Sequence, residues 1–443
     1  MAHLTISRRR FLQLSAFATA GLSLAACAPA TAPAQQPADA GEAPSGSGET
    51  NFVILAAGNP EQNAPLIQAI EDAHPGVTVE WRGLTSERYT ELFAAAEVAG
   101  DQIDLMDLNG QDLRRYAVGG KLKDLSDIEF KDRFREVGLR TYTVNDKLWA
   151  LPRGGISGFT FFVNQKALDA IGVDKEPETY DELLEWAPML KEAGYAPFTH
   201  AGKNIYLWPV WHFFSYAQTS GNDPVEQTWA ILQGEKKFTD EDSIAALEIL
   251  YRYAQDGMFI EGVNGLDSDG ALLTFTQGKS AFWYTHTGAI AQYRGGDFPE
   301  LEMSLVPPLR SVPDANRMLP GGTGAADGIY ANIADERLDL AFSVLDLMTS
   351  DEWVGWANKT FADPVSTNVN VEASDDPLSL KYAEECAPMQ FTYLDWYWPP
   401  EITRAFQENQ QALVAGSKTP DAAAESIQQV LDELYADGYT FEM

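Results

Sequence analysis

From Phe52 onward the chain switches between two hydrophobic periods. Phe52 to Ala57 is an apolar run of strand length, and Asn59-Pro60-Glu61-Gln62 follows with a helix cap, a first-turn proline and an acidic first turn. Leu66, Ile67 and Ile70 then recur at helical spacing until Pro75-Gly76, after which Val77, Val79 and Trp81 alternate with polar residues as the two faces of a strand do. A second helical stretch, Ser86 to Ala99, stops at Gly100, and Ile103 to Leu108 predicts another strand. Strands alternating with helices predict a parallel sheet, in which ligands are met at the carboxyl ends of the strands. The loops Gly58 to Gln62 and Asp107 to Asp112 are therefore candidate pocket walls, with Asn59, Gln62, Asp107 and Asp112 as hydroxyl-binding side chains.

The same alternation resumes after Leu148. A glycine-rich crossing, Arg153-Gly154-Gly155-Ile156-Ser157-Gly158, leads into a strand from Phe159 to Val163. Thr179-Tyr180-Asp181-Glu182 predicts a capping box, in which the threonine hydroxyl and the glutamate carboxylate satisfy each other's backbone amides. The helix it starts carries Leu183, Leu184, Ala187 and Leu190 and stops at Gly194. A last helix begins at Thr419-Pro420, with Ile427, Val430, Leu431 and Leu434 on its apolar face, and ends at Gly438.

Ahead of this body the pattern is different. Arg8-Arg9-Arg10-Phe11-Leu12 precedes an apolar stretch, Leu12 to Ala26, that closes on Leu24-Ala25-Ala26-Cys27. The stretch is shorter than the roughly 20 apolar residues that a spanning helix needs, so it reads as a removable signal. The arginine pair resembles a bacterial twin-arginine signal, and the ending resembles a lipobox, which implies acylation at Cys27. Residues 1–27 are then the signal, and 28–50, almost wholly Ala, Pro, Gly, Ser, Thr, Gln and acids, are an expected disordered tether.

Composition narrows the chemistry of the body. With 45% hydrophobic residues it has enough apolar surface for two ordinary cores, and its formal charge of −34 repels nucleic acid and anionic lipid. Cys386 has no partner for a disulfide once Cys27 is acylated, and is expected to be a small buried residue. The five histidines are scattered without metal-ligand spacing, and neither a metal nor a cofactor is expected. Ile156-Ser157-Gly158 is followed by Phe159 where a nucleophile elbow needs glycine, so it is expected to be a hinge turn. Asp267-Ser268-Asp269-Gly270 begins like a calcium loop, but Thr276 stands where the bidentate glutamate belongs, and a solvated turn is expected there.

Five segments, in order, resemble the extracellular solute-binding proteins of the maltose-binding kind: LPRGGISGFTFFVNQKALDAIGV, PETYDELLEWAPMLKEAG, FTQGKSAFWYTHTG, the Gly321 to Ile329 run before an Ala341-Phe342 helix, and GSKTPDAAAESIQQVLDELY. Phe162-Val163-Asn164-Gln165-Lys166 departs from that family by lacking its tyrosine and inserting Gln165, and Phe282 replaces a methionine. The resemblance implies a bilobed α/β periplasmic-binding-protein fold of type II, two discontinuous lobes joined by two or three hinge crossings with a sugar in the cleft. One lobe is expected from 51–153 plus 320–358 and the other from 154–319 plus 359–443. It also implies delivery of the ligand to the permease subunits of an ABC importer, and the body is expected to be a monomer, lipid-anchored at the cell membrane in the periplasm or on the outer face.

Sugars present hydroxyls to planar acceptors and C–H faces to rings, so aromatic residues outside core periodicity are candidate platforms. Tyr206, Trp208 and Trp211 share one segment with Pro209 that resembles the family's aromatic loop, and Trp396 and Trp398 precede Pro399-Pro400, where the family also stacks a ring. Trp283 and the hinge residue Thr323 complete the candidates. Two other readings remain open: a secreted glycoside hydrolase, and a receptor for a non-sugar such as a polyol, glycerol phosphate or a polyamine. Arg82, Arg114 and Arg153 are the cations available to a phosphate.

Overall fold

The computed structural model describes residues 50–57, 60–84 and 89–441. The signal ending at Cys27, the expected tether up to residue 49, and Asn59 lie outside the described residues. In chain order the strands are β1 (Thr50–Ala57), β2 (Val77–Leu84), β3 (Leu105–Leu108), β4 (Thr143–Val144), β5 (Lys147–Leu148), β6 (Leu151–Pro152), β7 (Ile156–Asn164), β8 (Ala196–Thr199), β9 (Ser280–His286), β10 (Met303–Val306), β11 (Leu319–Thr323), β12 (Ala326–Ile329) and β13 (Gln390–Phe391).

They form two sheet-centred α/β bodies. The first sheet has the order β2-β1-β3-β12-β6, with β1, β2 and β3 parallel and β12 antiparallel to β3. Phe52 to Ala56 are buried on both faces of β1, which is why that strand reads as an unbroken apolar run instead of an alternating one. Leu66 and Ile70 of the helix Ala64–Ala73 pack on this core, as their spacing predicts. The second sheet has the order β13-β11-β7-β9-β8, with β10 paired to the far end of β7. All nine residues of β7 are buried.

Three crossings join the bodies, and sheet pairing changes at each. The chain leaves the first sheet at β6, passes Arg153 to Gly155 and enters β7; it returns from β11 through Gly324 and Ala325 into β12. The third crossing follows the helix Asp351–Thr360, and there the Ile156 amide donates to the Val365 carbonyl at 2.7 Å. Ile156, Ser157 and Gly158 are β-strand and not the turn expected from sequence, because they pair with Thr323, Gly322 and Gly321. None of the six glycines at the first two crossings has positive φ. Space explains three of them: an ideal Cβ would fall 2.4 Å from Asp363 Cβ at Gly155, 2.4 Å from the Tyr382 hydroxyl at Gly158, and 2.1 Å from Gln390 Nε2 at Gly321.

Local chemistry sets the helix ends. Thr179 and Glu182 form the expected capping box on Tyr180–Glu192, and Thr419 caps Pro420–Ala436, whose Ile427 and Leu431 are buried. Asp267 is a helix cap and not a solvated turn, its carboxylate accepting the Gly270 amide at 3.1 Å and pairing with Lys203 at 3.0 Å. Cys386 is fully buried. Among the described residues no helix is long and apolar enough to cross a membrane, and no group of three or more His, Cys, Asp or Glu is placed to hold a metal ion.

Candidate functional site

A cavity of about 460 Å³ opens where the strand ends of both bodies meet the crossings. Gln62 and Asn63 reach it from the segment after β1, Asp107, Asn109 and Asp112 from the end of β3 and the helix Gly110–Val118, and His286 and Gly288 from the end of β9. Its floor is Arg153 to Gly155 with Ser157 and Gly324. Its wall is aromatic: Tyr89 is buried, while Trp356 and Phe361 meet edge to face at 6.0 Å, with Phe361 39% exposed. This is the carboxyl-end position at which α/β sheets bind ligands.

Each polar group is held by the segment that brings it. Asn109 caps Gly110–Val118, its Oδ1 accepting the Asp112 amide at 2.8 Å. Arg153 forks across the floor, with Nη2 3.2 Å from Asp107 and Nη1 3.3 Å from Asp327, and its guanidinium lies 5.1 Å from the Trp81 ring centre. Burial opposes the charge on Arg153, but the two carboxylates more than offset it and hold the guanidinium above its ordinary range. One guanidinium does not serve two buried carboxylates equally. Asp327 is completely buried, its Oδ2 has no hydrogen-bond partner, and burial drives its pKa up in spite of Arg153. Burial likewise raises Asp112, with Arg115 opposing.

Asp363 enters from the third crossing. Its Oδ2 accepts the Gly155 amide at 2.8 Å, and burial pushes its carboxyl up to about 6 against that hydrogen bond. No salt bridge reaches it among the described residues.

Ser157 and His286 form a pair between hinge and strand end. His286 Nδ1 accepts the Gly288 amide at 3.1 Å, so its proton sits on Nε2, 3.0 Å from the Ser157 hydroxyl. Burial lowers the ring's pKa to about 4, which keeps it in this neutral form. An N–H faces the serine where an activating base would present a lone pair, so the pair is arranged to orient a hydroxyl and not to deprotonate it.

The sequence candidates separate here. Gln62, Asp107 and Asp112 line the cavity. Trp208 and Trp211 do not: both are completely buried, Trp208 donating to the Gly202 carbonyl at 3.0 Å and Trp211 set among Phe161, Phe198, Phe214, Tyr253 and Tyr284. Trp283 is 5% exposed in a neighbouring core, and Trp398, 4% exposed, is stacked 4.2 Å from Phe406. Their rings are spent on core packing. Tyr206 is exposed on the short turn Ile205–Leu207, and Thr323 is fully buried on the opposite face of the hinge ribbon, its carbonyl accepting from Tyr142 at 2.9 Å. Trp396 is half-buried against Gly110 and Gly322 and borders two other cavities, of about 400 and 570 Å³. Trp356, Phe361, Asp363 and the Ser157–His286 pair were not among the candidates. Trp353 and Trp356, one turn apart after the Ser350 cap, carried a signal that the helix presents an aromatic face.

Comparison with known proteins agrees with this architecture. A probable sugar-binding periplasmic protein of Rhizobium meliloti (strain 1021) is 30% identical over 155 residues, which are 33% of this chain and 36% of that protein, so the match spans about a third of the relative's length. A solved chitin oligosaccharide binding protein superposes with a TM-score of 0.76 at 21% identity, covering 88% of this chain and 100% of that one. SBP RafE in complex with raffinose gives 0.72 at 17% identity, covering 87% and 99%. These likenesses show a bilobed fold. The family described as bacterial extracellular solute-binding protein matches residues 57–355 of the 443, and the chain belongs to that family.

Proposed function

We propose that the protein is an extracytoplasmic receptor that captures a sugar or oligosaccharide in the 460 Å³ cavity and delivers it, by closure about the three crossings, to an ABC importer. The carrying observation is the convergence, in one cavity between the two bodies, of a partly exposed aromatic wall with amide, hydroxyl and carboxylate groups. Trp356 and Phe361 offer faces to a pyranose, and Gln62, Asn63, Asp107, Asp112 and Ser157 offer hydroxyl partners. The names of the similar proteins support the saccharide class. The role is binding without catalysis, which accords with the non-activating Ser157–His286 geometry.

In this reading Cys27 carries a lipid, residues 28–50 tether the body near the membrane, and the twin-arginine pair directs export. The sequence division into 51–153 plus 320–358 and 154–319 plus 359–443 is kept except that 320–323 go with the second lobe, because β11 pairs with β7 and β13, and the body works as a monomer. A thermal-shift panel of mono- and oligosaccharides tests the reading. A true ligand at 100 times its dissociation constant should add about 2.7 kcal/mol of stability and appear as a raised Tm. Absence of any shift across the panel, or release of reducing sugar, contradicts it.

A further inference from the structure

The charge balance of the cavity is uneven. Among the described residues, Asp107, Asp112 and Asp363 line it, and the cation that lines it, Arg153, is already divided between Asp107 and Asp327. Asp112 has Arg115 beside it. Asp363 is left with a single backbone amide on one oxygen, and its carboxylate lies on the wall two residues from Phe361 and near Trp356. A half-buried carboxylate with no salt bridge among the described residues has a less favourable charged state until a ligand supplies a counter-charge. The adjoining rings favour the same kind of ligand, since an aromatic face stabilises both sugar C–H groups and an ammonium. A net negative protein also concentrates cations at such a cleft.

We infer that the cavity selects a saccharide bearing a protonated amine over its neutral counterpart, with Asp363 as the acceptor of the ammonium group and Trp356 and Phe361 against the sugar ring. This rests on the reading of the protein as a saccharide receptor. In this arrangement Asp107 and Asp112 accept from ring hydroxyls, Arg153 sets the position of Asp107, and the ammonium donates to the Asp363 oxygen that the Gly155 amide does not use. An N-acetyl group replaces the cation with a neutral amide and forfeits the ion pair.

Calorimetric titration with matched pairs tests the inference: glucosamine against glucose and N-acetylglucosamine, and de-N-acetylated chitobiose against chitobiose. The amine of each pair should bind at least about tenfold tighter, and the advantage should shrink as salt is raised. Asp363→Asn keeps an acceptor for the Gly155 amide, and should bring the members of each pair within about twofold while circular dichroism and the melting curve stay near those of the parent. Equal or tighter binding of the neutral sugars overturns the amine preference and leaves the saccharide receptor standing. An undiminished amine preference in Asp363→Asn removes Asp363 from the role. Failure of every saccharide to bind defeats both readings, and putrescine binding without any saccharide binding defeats the sugar class while locating a cation site.

Discussion

Two buried regions of this molecule use their unusual residues in opposite ways. The aromatic core of the second body closes around Phe161, Phe198, Trp211 and Tyr284, whose rings meet edge to face or tilted at 4.8 to 5.9 Å, and it holds His200 and His212 almost without solvent contact. The cleft floor is as dry at Asp327 and nearly so at Asp107 and Arg153, yet its groups are charged, and the cavity above them is open. In the core, aromatic surface is saturated by other aromatic surface. On the floor, polar groups are kept at an electrostatic cost, with an orphaned Asp327 oxygen, and on the wall Asp363 has no salt bridge among the described residues, a pattern that accords with the proposed site.

Cutting into the core should give the largest effect. Trp211→Ala removes a fully buried indole packed against seven rings and should cost about 4 kcal/mol, read as a lower urea midpoint. Any ligand bound by the parent should still bind the folded fraction with parental affinity. On the floor, Arg153→Ala strands two carboxylates and should cost about 3 kcal/mol at pH 7, whereas adding Asp327→Asn should recover much of the loss. Recovery distinguishes a charge defect from a cavity defect, for which no second polar change compensates.

Gly155→Ala probes the joint between the regions. An added Cβ meets Asp363 Cβ at 2.4 Å and the Val365 carbonyl at 2.6 Å, so the crossings must separate, at about 1 to 3 kcal/mol. Small-angle scattering should show a larger radius than the parent in saturating ligand. An identical radius would mean that the crossings absorb the methyl group locally.

Much of the architecture was legible because it is local. The apolar run at Phe52, the capping box at Thr179 and the closing helix at Thr419 each follow from neighbours within a few residues, and all three stand in the structure. The loops carrying Gln62, Asp107 and Asp112 were legible from topology, since strand ends of a parallel sheet gather on one side. The aromatic assignments did not follow from the same reasoning. Trp208 and Trp398 sit beside prolines in segments that look like loops, but which face of a ring is covered depends on Phe259 for Trp208 and on His212, Phe213 and Phe238 for Trp398, from segments distant along the chain. Asp363 was invisible for a related reason: only the return of the third crossing onto Gly155 makes it part of the cleft.

The smallest effects are in the pH response, where the regions differ in sign. His200 and His212 are lowered to about 3 by burial, so the unfolded chain binds more protons between about 6.5 and 3, and stability falls as pH drops through that window. Asp363, raised to about 6, holds its proton more tightly when folded, so its contribution declines as pH rises from about 4 to about 6. Relative to the parent, His212→Phe should therefore lose less stability between pH 7 and pH 4. Asp363→Asn should gain relative to the parent as pH rises over the same range. Urea midpoints at the two pH values check both, and parallel shifts of parent and variant would contradict the assignment.

The location of the ligand is the central claim, and one paired titration addresses it. With whichever saccharide raises the parent's Tm, calorimetry on Trp356→Ala and Trp396→Ala separates the cavity at the strand ends from the cavities beyond the hinge. A stacking ring lost from the binding site costs about 2 kcal/mol, roughly a thirtyfold weaker affinity. The account predicts that loss for Trp356→Ala, with a melting curve close to the parent's, and a smaller change for Trp396→Ala. Parental affinity in Trp356→Ala together with abolished binding in Trp396→Ala would contradict it and move the site to the Trp396 side.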